Sequence, residues 1–122
     1  MKPVKAGERL IKNMYTNDFV PFVNSDGTTD GSVLQLDRSQ APGVGFHVYK
    51  MEPGQTTIAH EHQGNEEFLL IEGDLTDNDG TEYKIGDLVW MKSGTEHCST
   101  SRNGCLLAVY IPATEKPLTD GD

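Results

Sequence analysis

The sequence predicts an all-β domain, a barrel or sandwich of short strands, and three observations carry that expectation. Thirteen glycines and six prolines punctuate 122 residues at short intervals, the rhythm of strands joined by turns. The segments between them are short and either apolar or alternating, which is the pattern of strands buried on one or both faces. Helical periodicity is almost missing.

Taken in order, residues 1–23 read as an N-terminal arm. Leu10-Ile11-x-x-Met14-Tyr15 carries the one weak helical pattern, and a short apolar piece follows at Asp18-Phe19-Val20-Pro21-Phe22-Val23. The polar loop 24–31 leads into Ser32-Val33-Leu34-Gln35-Leu36-Asp37, which alternates. Gly45–Met51 is a strand closed by Glu52-Pro53-Gly54, and Glu67–Glu72 is strongly apolar and β-compatible. Asp77-Asn78-Asp79-Gly80 reads as a hairpin turn, because these residues tolerate the positive φ such turns need. Lys84–Asp87 reads as another turn, followed by the strand Leu88–Met91. Cys105–Ile111 is the last strand, and Pro112 ends it because proline cannot donate to the ladder. The polar tail, about 113–122, is expected to be mobile.

One domain, 1–122, is the expectation from length, and such a chain can bury roughly two-thirds of its unfolded surface. Disulfides are not needed, and Cys98 and Cys105 match neither a CxxC motif nor a zinc knuckle. A formal charge of −9 argues against nucleic acid and anionic membranes as partners. No apolar run approaches a membrane span or a signal peptide, so a cytoplasmic location is expected.

The chemistry concentrates in one constellation. His60 and His62 are two apart on an expected strand, so both imidazoles point to one face. Glu66 begins the next strand after a short turn, and His97 lies far along the chain, where a barrel interior can bring it back. Three imidazoles and a carboxylate suit a divalent transition metal, Zn²⁺ or Fe²⁺ first, with Ni²⁺, Mn²⁺ or Cu²⁺ compatible. Four protein ligands leave coordination positions open for water or substrate.

The glycine framework around these residues sharpens the reading. Gly54-x5-His60-x-His62-x3-Glu66-x6-Gly73 resembles the first conserved motif of the cupin superfamily. Gly86-x5-Lys92-x-Gly94-x2-His97-x3-Ser101 resembles the second, with Lys92 where that motif has proline and Ser101 where it has asparagine. The resemblance implies a cupin double-stranded β-helix, a jelly-roll barrel, with His60, His62, Glu66 and His97 as metal ligands. Spacing back from Gly73 selects Glu66 over Glu67, which alternation then turns outward. Phe68 shares the face of Glu66 and is expected in the cavity wall. His47 and Tyr49 share a strand face; if it looks inward they touch a ligand, and otherwise His47 is a surface or structural histidine. Trp90 is a further candidate for the pocket, or for the core. Cys98 points away from the metal, Cys105 fills the core, and Arg102 is a solvated charge or an anion anchor.

Within the superfamily, the run from His60 to Gly73 looks most like the ChrR-type and acetylacetone-dioxygenase-like cupins. That likeness implies one of three functions. The first is an Fe-type dioxygenase acting on a small organic molecule such as a diketone. The second is a non-catalytic, zinc-binding sensor or ligand-binding module. The third, a sugar isomerase, wants more cationic or polar pocket residues than the sequence offers. Residues 1–23 could pair two copies by covering a sheet edge, so a homodimer is expected.

Overall fold

A computed structural model describes residues 1–24 and 26–118 and resolves them into twelve strands. They are β1 (Val20–Val23), β2 (Thr29–Gln35), β3 (Gly45–Met51), β4 (His60–Glu61), β5 (Glu66–Gly73) and β6 (Leu75–Asp77). The remainder are β7 (Glu82–Tyr83), β8 (Leu88–Met91), β9 (Glu96–His97), β10 (Ser99–Thr100), β11 (Cys105–Ile111) and β12 (Lys116–Pro117). No helix forms among the described residues.

One large sheet has the order β1-β2-β3-β11-β5-β8, and two small sheets, β10-β6-β7 and β12-β4-β9, complete the barrel. All pairings are antiparallel. The last long strand, β11, slots between β3 and β5, so the chain closes its core only after its second half is made. This is the jelly-roll order, with the small sheets facing the inner side of the large one across a shared cavity.

Alternation decides which side chains meet inside. Along β11, Cys105, Leu107, Val109 and Ile111 are buried, while Tyr110 turns outward. On β5, Glu66, Phe68 and Leu70 are buried and Glu67 is exposed. These positions join Met51 of β3 and Leu75 of β6 in one apolar cluster. Each such side chain removed from water contributes roughly 1.5–3 kcal/mol. The cluster is the floor on which the polar site stands.

Gly73 marks the turn out of β5. Its φ is +85°, and a Cβ there would overlap the carbonyl oxygen of Gly104. Two backbones pass in contact at this point, which only glycine permits. Ser101 is fully buried beside it, and its hydroxyl donates to the Asp74 carbonyl oxygen at 2.7 Å.

Both chain ends differ from the sequence-based expectation. The weak helical pattern at Leu10–Tyr15 forms no helix; Asn13 instead closes turns, accepting from the Tyr15 amide at 2.8 Å through its side chain. Asn competes for backbone donors in this way and so favours turns over helices. The arm lies on its own large sheet, where the Tyr15 hydroxyl donates to Glu72 at 2.9 Å. At the other end, the segment expected to be mobile is strapped down. Lys116 and Pro117 pair with Glu61 and His60, and the Leu118 amide donates to the Ala59 carbonyl at 2.8 Å. The part of the expected tail at 119–122 lies outside the described residues.

Candidate metal centre

The three motif histidines come together through strand register. His60 and His97 are direct cross-strand partners in the β4–β9 pair. His62, one residue past β4, shares the face of His60, and its amide donates to the Thr95 carbonyl at 2.9 Å. The ring centroids lie 4.7–5.1 Å apart.

Each ring is held by its Nδ1. His60 Nδ1 lies 2.7 Å from the Ile58 carbonyl oxygen, which can only accept, so Nδ1 carries the proton. His97 Nδ1 donates to the Asp77 carboxylate at 3.0 Å. His62 Nδ1 lies 2.9 Å from the Thr95 hydroxyl, whose own proton is committed to the Lys92 carbonyl at 2.7 Å. Thr95 therefore accepts from His62. In the neutral form, each of the three imidazoles is held in the tautomer that leaves Nε2 as a bare lone pair. The Nε2 atoms of His60 and His62 are buried with no hydrogen-bond partner. A buried acceptor without a partner costs free energy, and a cation at the convergence point would satisfy it.

Carboxylates face these nitrogens. Glu66 Oε2 is 3.6 Å from His62 Nε2. Glu115, from the segment before β12, places Oε2 3.4 Å from His60 Nε2 and Oε1 3.9 Å from His62 Nε2. Ligand atoms of His60, His62 and His97 lie within 4.8 Å of one another, as do those of His62, Glu66 and Glu115. Two donors each about 2.0–2.2 Å from one ion sit on the order of 3–4.3 Å apart. Each of these two triads, with His62 common to both, could hold a divalent transition metal.

Electrostatics agree with that chemistry. Burial first, then the neighbouring His97 imidazole, pulls His62 down to about 4, so it is neutral at physiological pH. Burial and the facing Glu115 carboxylate hold Glu66 well above the usual carboxylate range. For Asp77, burial alone would raise the value, but hydrogen bonds from His97, Ser99 and Tyr83 outweigh it and lower the net result. Asp77 thus stays ionised behind His97.

The site opens on a cavity of about 80 Å³, room for on the order of five waters. His47, Tyr49 and Phe68 line it. His47 is 5% exposed and neutral through burial, with Nδ1 held by the Gly45 carbonyl at 3.0 Å. The Tyr49 hydroxyl donates to the Asp30 carbonyl at 2.6 Å, and burial keeps it protonated. Trp90 is not in the wall. It is 58% exposed, paired in register with the outward Glu67, whereas Met91 and Val89 oppose the inward Glu66 and Phe68. One step of alternation turns it to the outer face. Arg102 is exposed and its amide caps Asp74, away from the cavity. Cys98 and Cys105 are both free.

Three contributors escaped the sequence reading: Asp77, Thr95 and Glu115. Asp77 was legible as a turn residue only, although it also follows Leu75 at same-face spacing and is buried. Thr95 sits inside the second glycine motif, two residues before His97. Glu115 carries no local signal.

A jelly-roll barrel with converging imidazole lone pairs and carboxylates at one cavity defines the class: a cupin with a candidate metal site. The chain belongs to the ChrR cupin-like family, whose model matches residues 11–114. No curated protein matches the sequence. Among solved structures, an acetylacetone dioxygenase from Acinetobacter johnsonii is 16% identical, with a TM-score of 0.68 over 98% of this chain and 83% of that one. A protein from Methylibium petroleiphilum, proposed to be an acetylacetone dioxygenase, is 16% identical with a TM-score of 0.73, covering 100% of this chain and 89% of that one. A polyketide cyclase from Streptomyces resistomycificus is 16% identical with a TM-score of 0.65, covering 90% and 87%. At these identities the likeness establishes the shared fold.

Proposed function

We propose that this chain is a metal-dependent oxidoreductase of the dioxygenase type, holding one iron through His60, His62, Glu66 and His97 and acting on a small neutral molecule such as a diketone. One observation carries the reading: bare Nε2 lone pairs converge beside a small cavity whose remaining wall is largely apolar. A bound Fe²⁺ would supply a Lewis-acidic, redox-active centre there. Phe68, Leu107 and Val109 exclude water and offer apolar contact to the substrate's alkyl groups. No Lys or Arg lines the cavity among the described residues, which disfavours an anionic substrate and a sugar phosphate in particular. His47 is neutral with Nδ1 engaged, so its Nε2 is the atom able to accept a proton from a carbon acid in the cavity. Tyr49, fixed on Asp30, holds the wall in place.

Oxygen uptake by the Fe²⁺-reconstituted protein with 2,4-pentanedione tests this. Consumption matched to diketone loss, and abolished in His97→Ala, supports the reading. Tight metal binding without turnover on any small diketone overturns it. That result would favour the second reading, a zinc-binding sensor module, for which the ChrR cupin-like family match is the supporting observation.

We further propose a homodimer. Phe46, Tyr110 and Trp90 are exposed on the outer face of the large sheet, and register places them in one lateral row with Glu67. Apolar patches of this kind mark interaction surfaces. Trp90→Glu is expected to shift the protein from dimer to monomer in sedimentation at micromolar concentration; a wild-type monomer would refute the pairing.

A further inference from the structure

We infer that Glu115 is a fifth protein ligand of the metal site, an inference that rests on reading His60, His62, Glu66 and His97 as ligands. Glu115 lies one residue beyond the segment that matches the family model, so family membership assigns it nothing. Its position follows from the last strand. Lys116 pairs with Glu61 and Pro117 with His60, and one step back along that register brings Glu115 opposite His62. Residues opposite one another across a pair share a face, so Glu115 looks where His60 and His62 look. Gln63 reinforces the placement, its side-chain amide donating to the Thr114 carbonyl at 2.8 Å.

The contacts of the carboxylate have the spacing of co-ligands. Its two oxygens are 3.4 and 3.9 Å from the Nε2 atoms of His60 and His62, too far for good hydrogen bonds. Those nitrogens are unpartnered although His60 is 5% and His62 1% exposed. Among the described ion pairs, Glu115 meets no Lys or Arg, only these two imidazoles. It also groups with His62 and Glu66 at ligand spacing. A rim glutamate serving solubility would extend into water; this one is three-quarters covered and turned inward.

Two carboxylates and three neutral imidazoles balance the charge of a divalent ion. They also leave an octahedral ion only one position for water or substrate. The second carboxylate moves the donor set towards the harder end of the divalent series, where oxygen ligands are preferred.

Co²⁺ and Zn²⁺ titrations of the full chain test this, using a chromophoric chelator as competitor and the visible Co²⁺ spectrum as a ligand count. Glu115→Gln is expected to weaken binding by about tenfold or more and to change the Co²⁺ bands. Glu67→Gln, a charge loss on the outer face, is expected to change neither. A tenfold loss would remove about 1.4 kcal/mol of metal-dependent stabilisation, read as a smaller rise in Tm on adding metal. Equal affinity of Glu115→Gln and wild type overturns the inference while leaving the four-ligand reading intact. Weaker binding with an unchanged Co²⁺ spectrum also overturns it, because the carboxylate would then act only through space. Failure of the wild-type protein to bind either ion sinks both readings together.

Discussion

Asp77→Asn is the perturbation that probes the site most directly without touching a nitrogen that faces the cavity. The Asp77 carboxylate is 6% exposed and accepts three hydrogen bonds, from His97 Nδ1 at 3.0 Å, Tyr83 at 2.6 Å and Ser99 at 2.5 Å. Ser99 uses one oxygen; Tyr83 and His97 share the other. An asparagine keeps one acceptor for Ser99 and turns an NH₂ towards the other two. Tyr83 can rotate its hydroxyl and accept. His97 can relieve the clash of donors only by moving its proton from Nδ1 to Nε2, which caps the lone pair that faces the cavity. Loss of such an orienting partner lowers metal affinity about 10–100-fold, equivalent to about 1.4–2.7 kcal/mol. Chelator competition reads the affinity, and ring-¹⁵N spectra of the metal-free protein read the tautomer, since protonated and bare nitrogens resonate far apart. An Asp77→Asn protein with His97 still protonated at Nδ1 and wild-type affinity would refute the reasoning.

Two further predictions concern the barrel without metal. Leu70 is fully buried at the centre of β5, so Leu70→Ala should lower stability by about 2–5 kcal/mol in urea unfolding; a loss under 1 kcal/mol would mean that the site collapses around the gap. The pH profile has opposing contributions. His62 titrates near 6.5 when unfolded and at about 4 when folded. The unfolded chain therefore binds more protons between those values, and this stability, about 3 kcal/mol, is present above pH 6.5 and lost as pH falls. Glu66 has the opposite sign: held high in the fold, it contributes stability below its ordinary range that is lost as pH rises. Metal-free Glu66→Gln removes the opposing effect, and its urea midpoint should climb from pH 4.5 to 6.5, with buried His47 adding in the same direction; a flat or falling midpoint would contradict the burial of neutral His62 and His47.

Strands bounded by clear turn residues were legible, and most of the shortest ones were not. β3, β8 and β11 were expected with the bounds observed, because apolar or β-compatible runs bounded by glycine or proline turns leave little choice. Of the strands of two or three residues, β4 was legible from the spacing of His60 and His62, whereas β6, β7, β9, β10 and β12 carry no periodicity of their own; pairing with a distant neighbour makes them strands. The site divides the same way. His60, His62, Glu66 and His97 stand at fixed distances from glycines, so their spacing is visible along the chain. Asp77 and Glu115 belong to the short strands or their edges, and what they touch depends on register. Trp90 was misplaced for a related reason: the parity of β8 against β5 is set by which residue opposes Glu66, and that is Met91.

The arrangement as a whole is one that a bound cation would complete. Two carboxylates, Glu66 and Glu115, are gathered against imidazoles whose neutral tautomers carry no proton at Nε2. Glu66 can remain there without a cation only by keeping its proton, which is why its affinity for that proton is raised. A fold selected for stability alone would replace this cluster with apolar side chains continuous with Phe68 and Val109, since buried charges rarely repay their desolvation. The barrel instead tolerates unpartnered nitrogens and crowded carboxylates at one end. It can do so because the apolar cluster of Leu70, Met51 and their neighbours, continuous with the cavity wall, supplies the stability. Local disagreement between polar groups and fold stability is the mark of a functional site. Here a divalent metal ion would remove that disagreement by accepting the imidazole lone pairs and balancing the carboxylates. Its binding should therefore raise Tm more than the loss of any single ligand lowers the Tm of the metal-free protein.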